Sequence, residues 1–92
     1  MTRHVCVILL NWNDSHETLA CLASLRTVTY PSFQVVVVDN GSVDDSVATI
    51  RAHYPEATVL EAGSNLGFTG GNNLGLRWAL EHDADYALLL NN

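Results

Sequence analysis

The chain contains no lysine. Four arginines stand against ten acidic residues, for a formal net charge of −6. This excludes a phosphate loop built on its lysine, Schiff-base chemistry and pyridoxal catalysis. It also argues against nucleic acid as a partner, because neutralising a phosphate backbone takes clustered cations. A phosphorylated ligand would have to be met by backbone N–H groups, arginine or a divalent cation. Cysteine is scarce too. Cys6 and Cys21 cannot build a disulfide scaffold. Each lies in an apolar stretch, HVCVILL and TLACLASL, so both read as buried free thiols, which suits a reducing cytoplasm. The apolar run 5–10 is too short for a signal peptide and is followed at once by Asn and Asp. No run is long enough to span a membrane. A cytoplasmic location is expected.

Other absences narrow the chemistry. The first strand-to-helix turn reads Asn11-Trp12-Asn13-Asp14, so the G-x-G-x-x-G fingerprint of a dinucleotide fold is missing. His4, His16, His53 and His82 share no metal-ligand spacing with one another or with the cysteines and read as surface residues. No nucleophile triad can be assembled.

What is present fits one small domain: 92 residues, 48% of them hydrophobic. Strand-like and helix-like segments alternate. The continuous apolar run 5–10 predicts a strand buried on both faces. Residues 14–28 predict a helix, with Asp14 or Ser15 as its cap and Leu19, Leu22 and Leu25 on one face. Residues 33–38, with four consecutive valines, form the second strand. Ser42 can cap a second helix that carries Asp44 and Asp45 at its positive end and stops at Pro55. A short strand at 57–60, a Gly-rich loop, a helix from about 71 to 82 and a strand at 85–90 complete the pattern. The order βαβαβαβ implies a three-layer α/β fold with a mostly parallel, Rossmann-like sheet.

The asparagines fall on one side of this scheme. Asn11 and Asn13 follow the first strand, Asn40 the second, Asn65, Asn72 and Asn73 the third, and Asn91 and Asn92 the fourth. None is expected inside a strand. Asn favours turns and caps everywhere, yet the turns at the opposite edge, around Tyr30, Pro55 and Asp83, contain none. We read a polar, uncharged binding edge at the carboxyl ends of the strands, where open parallel sheets bind ligands. Asp39, ending the VVVVD strand, can accept from a ribose hydroxyl or a base N–H. Trp12 can stack on a base or pack against the neighbouring helix. Gly63, Gly67, Gly70, Gly71 and Gly75 permit close backbone approach, and Gly75 inside a helix points to close packing or ligand approach.

Taken in order, the segments VILLNWN, TLACLASL, YPSFQVVVVDNGSVDDS, GSNLGFTGGNNLGLRWAL and DYALLLNN resemble the start of a family 2 inverting glycosyltransferase of the rhamnosyltransferase-like branch. The resemblance covers essentially all of residues 1–92. It implies the nucleotide-binding half of a GT-A fold and a UDP- or dTDP-linked sugar as donor. It also implies a glycan or lipid-linked acceptor in cell-surface polysaccharide synthesis, and work at the inner membrane face. Trp12 matches the residue against the base, and Asp39 the carboxylate that recognises base or ribose. Asn72 falls where many members carry Arg in an A-R-N-x-G stretch, and Asn91 at the first position of a D-x-D motif. With Asn11, Asn13 and Asn65, these are the candidate nucleotide-sugar-binding residues.

The departures carry weight. The common V-D-D-G-S reads Val38-Asp39-Asn40-Gly41-Ser42, and Asn91 and Asn92 stand in place of acids. The family's Mg²⁺ or Mn²⁺ ligand is expected just after Asn92, and its catalytic base, an Asp or Glu, further on. No catalytic residue is therefore assigned within the chain. The resemblance implies a donor-binding portion that is inactive alone and whose nucleotide binding a cation aids little. The alternative is a stand-alone nucleotide-binding or interaction module, with self-association through an exposed fourth strand. An NAD-dependent oxidoreductase is disfavoured by the missing glycine fingerprint.

Overall fold

A computed structural model describes residues 2–90; Asn91 and Asn92 lie outside the described residues. Its elements are β1 (Val5–Asn11), α1 (Ser15–Leu25), β2 (Phe33–Asp39), α2 (Ser46–His53), β3 (Thr58–Glu61), α3 (Gly67–Glu81) and β4 (Tyr86–Leu90). The four strands form one parallel sheet in the order β3-β2-β1-β4. The apolar runs of β1 and β2 are continuous because both of their faces are covered. Cys6, Ile8, Val36 and Val38 pack with Ala79 of α3 on one side. Leu9 and Val37 pack with Leu22 of α1 and Ile50 of α2 on the other. The expected three-layer α/β architecture is thus present. Both cysteines are free, Cys6 buried and Cys21 half-buried, and burial pushes both thiols up. Among the described residues no helix is long and apolar enough to cross a membrane.

Besides α1 ending at Leu25 rather than at 28 and β3 lying one residue later than expected, three differences bear on the site. First, β1 and β2 each run one residue further. Asn11 pairs in register with Asp39, and the ladder continues through Asn40 N–H donating to Asn11 O at 2.8 Å. Asn11 therefore lies inside a strand. Second, Asp14 caps α1 as expected, accepting from Glu17 N–H at 3.3 Å, but Ser42 does not cap α2. That helix begins at Ser46, whose N–H donates to Asp44, and Ser42 turns back toward β1.

Third, α3 begins at Gly67 rather than Gly71. Gly71 and Gly75 lie on the sheet: a Cβ at Gly71 would stand 2.7 Å from Leu10 Cδ2, and one at Gly75 2.6 Å from Ile8 Cγ2. Close packing, not ligand approach, accounts for Gly75. Helical glycine costs about 1 kcal/mol against alanine, and burial of the helix against β1 and β2 offsets it.

On the face that carries α1 and α2, Arg26 joins the end of α1 to the loop before β3. It donates to Glu56 Oε2 at 2.6 Å and Oε1 at 2.9 Å and lies over the Tyr54 ring at 4.0 Å. The bond from Arg26 holds the Glu56 carboxyl down, from the usual 4.5 to about 2. Because the folded value is depressed, whatever stability the pair contributes is present above about 4.5 and lost as pH falls toward about 2. Both side chains are half exposed, so solvent screens the pair. In a carboxyl-detected NMR titration Glu56 should titrate near 2, and Arg26→Gln should return it toward 4.5. An unchanged midpoint would refute the assignment to Arg26.

Candidate functional site

The strand ends bring two polar side chains together. Asn11 is 1% exposed and Asp39 3% exposed, so each must find partners within the protein. Asn11 Nδ2 donates to Asp39 Oδ1 at 2.9 Å and to Ser42 Oγ at 3.3 Å. Ser42 Oγ donates to Asp39 Oδ1 at 2.7 Å, and Ser42 N–H donates to Asp39 Oδ2 at 3.0 Å. A carboxylate offers about four lone-pair positions. Two bonds arrive at Oδ1 and one at Oδ2, so Oδ2 keeps a position for an outside donor.

The loops beyond the strands are stitched to one another. Asn13, at φ +50°, donates its N–H to Ser42 Oγ at 2.8 Å, and its Oδ1 accepts from Val43 N–H at 2.8 Å. The side chain of Asn40 accepts from Leu66 N–H at 3.0 Å and donates to Gly67 O at 3.0 Å and Asn65 Oδ1 at 3.3 Å. Asn65 Oδ1 also accepts from Gly67 N–H at 2.8 Å. Between these loops Gly41 takes φ +83°, and a Cβ there would lie 2.6 Å from the Ser64 carbonyl carbon. The one-sided asparagines therefore do structural work: they tie three loops into one edge.

Of the predicted site residues, Asn11, Asn13 and Asp39 share the Ser42 network, whereas Asn65 bonds the Asn40 side chain in a second network between the next two loops. Trp12 is 55% exposed in the first loop, so its ring is open to solvent rather than packed under a helix. Val43 and Leu66 on the adjoining loops and Phe68 in the first turn of α3 are exposed as well. Asn72 follows Gly71, which lies on Leu10 and Asn40. It is 6% exposed, and its Nδ2 has no hydrogen-bond partner. Asn91 lies outside the described residues.

Sequence reasoning missed Thr18 and misread Ser42. Thr18 is fully buried and donates to Asn11 Oδ1 at 2.6 Å. A signal existed: Thr18 continues the stripe of Leu22 and Leu25 at helical spacing, a hydroxyl on an otherwise apolar face. For Ser42 the signal was Asp39 three residues before it, a local turn that competes with a helix cap; its partners Asn11 and Asn13 lie on the first segment. Among the described residues no three His, Cys, Asp or Glu side chains converge to hold a metal ion. No step is routed through a cation.

A parallel sheet between helix layers, with a polar carboxyl edge, matches the Rossmann-like nucleotide-binding half of the GT-A fold. The model for Glycosyl transferase family 2 matches residues 6–91, and the chain belongs to that family. The uncharacterized glycosyltransferase YibD of Escherichia coli K12 is 27% identical over 81 residues, covering 85% of this chain and 23% of YibD. The crystal structure of S. aureus TarS 1-349 superposes with a TM-score of 0.81 at 25% identity, covering 96% of this chain and 27% of the TarS chain. The chain thus spans about a quarter of the length of these relatives.

Proposed function

We propose that the carboxyl edge binds the nucleotide part of a nucleotide-diphosphate sugar, UDP- or dTDP-linked. The chain then serves as the donor-binding portion of an inverting transferase that passes the sugar to an acceptor hydroxyl. One observation carries this reading: Asp39 sits at the end of the central strands with an acceptor position left at Oδ2. A pyrimidine imide N–H or a ribose hydroxyl supplies the matching donor. Asn72 Nδ2, the buried donor without a partner, complements a base carbonyl, and the open Trp12 ring offers a stacking face. Inversion needs a general base to take the acceptor proton, and no described residue is proposed for that role. Under the same proposal the acceptor is a glycan or lipid-linked hydroxyl of cell-surface polysaccharide synthesis, handled on the cytoplasmic side.

Titrating the ¹⁵N-labelled chain with UDP, dTDP and NAD tests the proposal. UDP or dTDP should give saturable shifts confined to the loops after β1 and β2 and the start of α3, and Asp39→Ala should abolish them. Preference for NAD would restore the oxidoreductase reading. Absence of saturable shifts with every nucleotide would overturn the proposal.

A further inference from the structure

We infer that Thr18 is a positioning residue for nucleotide recognition: through Asn11 it fixes the carboxylate of Asp39 with Oδ2 toward the ligand. The inference rests on the nucleotide-binding reading above and names a residue that touches no ligand. A carboxamide presents two ends of nearly the same shape, one donating and one accepting. The Asp39 carboxylate only accepts, so Asn11 must turn Nδ2 toward it. The turned-over amide would set oxygen against oxygen at the 2.9 Å now bridged by a proton. Thr18 holds the amide from the other side. Its hydroxyl can donate or accept; with Nδ2 claimed by Asp39 it donates to Asn11 Oδ1 at 2.6 Å and so pins the far end of the amide.

Ser42 completes the arrangement without slack. Its hydroxyl has one proton, given to Asp39 Oδ1, and two acceptor positions, filled by Asn13 N–H and Asn11 Nδ2. Oδ1 is thereby saturated from two directions, and the carboxylate cannot rotate without breaking both bonds. Thr18 lies seven residues along the chain from Asn11 and is fully buried. The chain of bonds Thr18–Asn11–Asp39 thus runs from the core of α1 across the end of β1 to β2. It makes Asn11 a support of the site rather than a ligand contact, consistent with its burial.

Thr18→Val removes the hydroxyl and keeps the shape. Thr18→Ser keeps the hydroxyl. UDP affinity should fall about tenfold in Thr18→Val, the worth of one positioning hydrogen bond, and stay within about twofold of the parent in Thr18→Ser. The Asn11 side-chain NH₂ protons should exchange slowly in the parent and in Thr18→Ser, and faster in Thr18→Val. A merely structural role would lower thermal stability yet leave both affinity and amide exchange unchanged at temperatures where the variants are folded. That result overturns the inference, as does Thr18→Ser behaving like Thr18→Val. Should Thr18→Val not fold, the parent decides: Asn11 NH₂ protons exchanging at the rate of a free carboxamide refute the relay. A parent that binds no nucleotide while its Asn11 amide is protected instead sinks the nucleotide reading, and the positioning role with it.

Discussion

Gly41→Ala is expected to lower the thermal midpoint of this chain by roughly 10–40 °C. Two costs add. Alanine in the left-handed region, at φ +83°, costs about 1–2 kcal/mol. The new methyl would also lie 2.6 Å from the Ser64 carbonyl carbon and 2.8 Å from Asn65 N. These are backbone atoms that cannot swing aside, and overpacking of this kind costs about 1–3 kcal/mol. For a domain this small each kcal/mol moves the midpoint by about 4–8 °C. Gly63 is the internal comparison. It too has positive φ, +84°, but a Cβ there meets nothing within 4 Å. Gly63→Ala should therefore show only the conformational part. Equal losses in the two variants, measured by thermal and urea melts, would mean that the contact between the second and third loops does not hold in solution.

Asn11→Asp is the second large effect, and its size depends on pH. The change removes the donor to Asp39 and sets two carboxyls face to face across a gap that is 2.9 Å in the parent, both nearly buried. Like charges at that spacing cannot both ionise. At neutral pH a loss of about 3–5 kcal/mol is expected, the cost of a buried charge without its partner. The folded variant relieves this by keeping one proton on the pair. Its folded state thus binds a proton more tightly than the unfolded chain, where carboxyls titrate near about 4. The stability held by that proton is present below about 4 and disappears as pH rises. The gap between variant and parent should accordingly be narrow near pH 4 and widest near pH 7. Urea melts across that range measure it, and a gap independent of pH would contradict the buried pairing of Asn11 with Asp39.

The architecture was legible in the sequence because its causes are local. Runs of Val, Ile and Leu specify β1 and β2, the Leu stripe specifies α1, and Asp14 marks its start. Alternation of strand and helix then leaves a parallel sheet as the natural arrangement. What the sequence hid is long-range. The start of α3 was obscured by Gly67, Gly70 and Gly71, which read locally as loop, and only the flat contact of Gly71 with Leu10 makes glycine the right residue there. Ser42 reads locally as a cap; it turns instead onto Asp39 three residues before it, and only the folded sheet brings Asn11 and Asn13 to its hydroxyl. The clustering of asparagines at one edge was visible. That Asn40 and Asn65 spend their amides on neighbouring loops, while Asn72 keeps a free Nδ2, required the third dimension.

The strand order gives the two seams of β1 unequal costs in chain entropy. β1 sits between β2 and β4. Its seam with β2 joins residues 28 positions apart, as Asn11 and Asp39 are. Its seam with β4 is continuous with the bond from His4 N–H to Asp85, which spans 81. Loop closure grows by about 0.6 kcal/mol per doubling of length, so the second seam costs about 1 kcal/mol more chain entropy than the first. The β1–β2 pair, with the Thr18–Asn11–Asp39 chain already inside it, is the part that closes at lower entropic cost. None of the bonds in the Thr18–Asn11–Asp39 chain involves β4, so the polar heart of the edge draws nothing from the costlier seam.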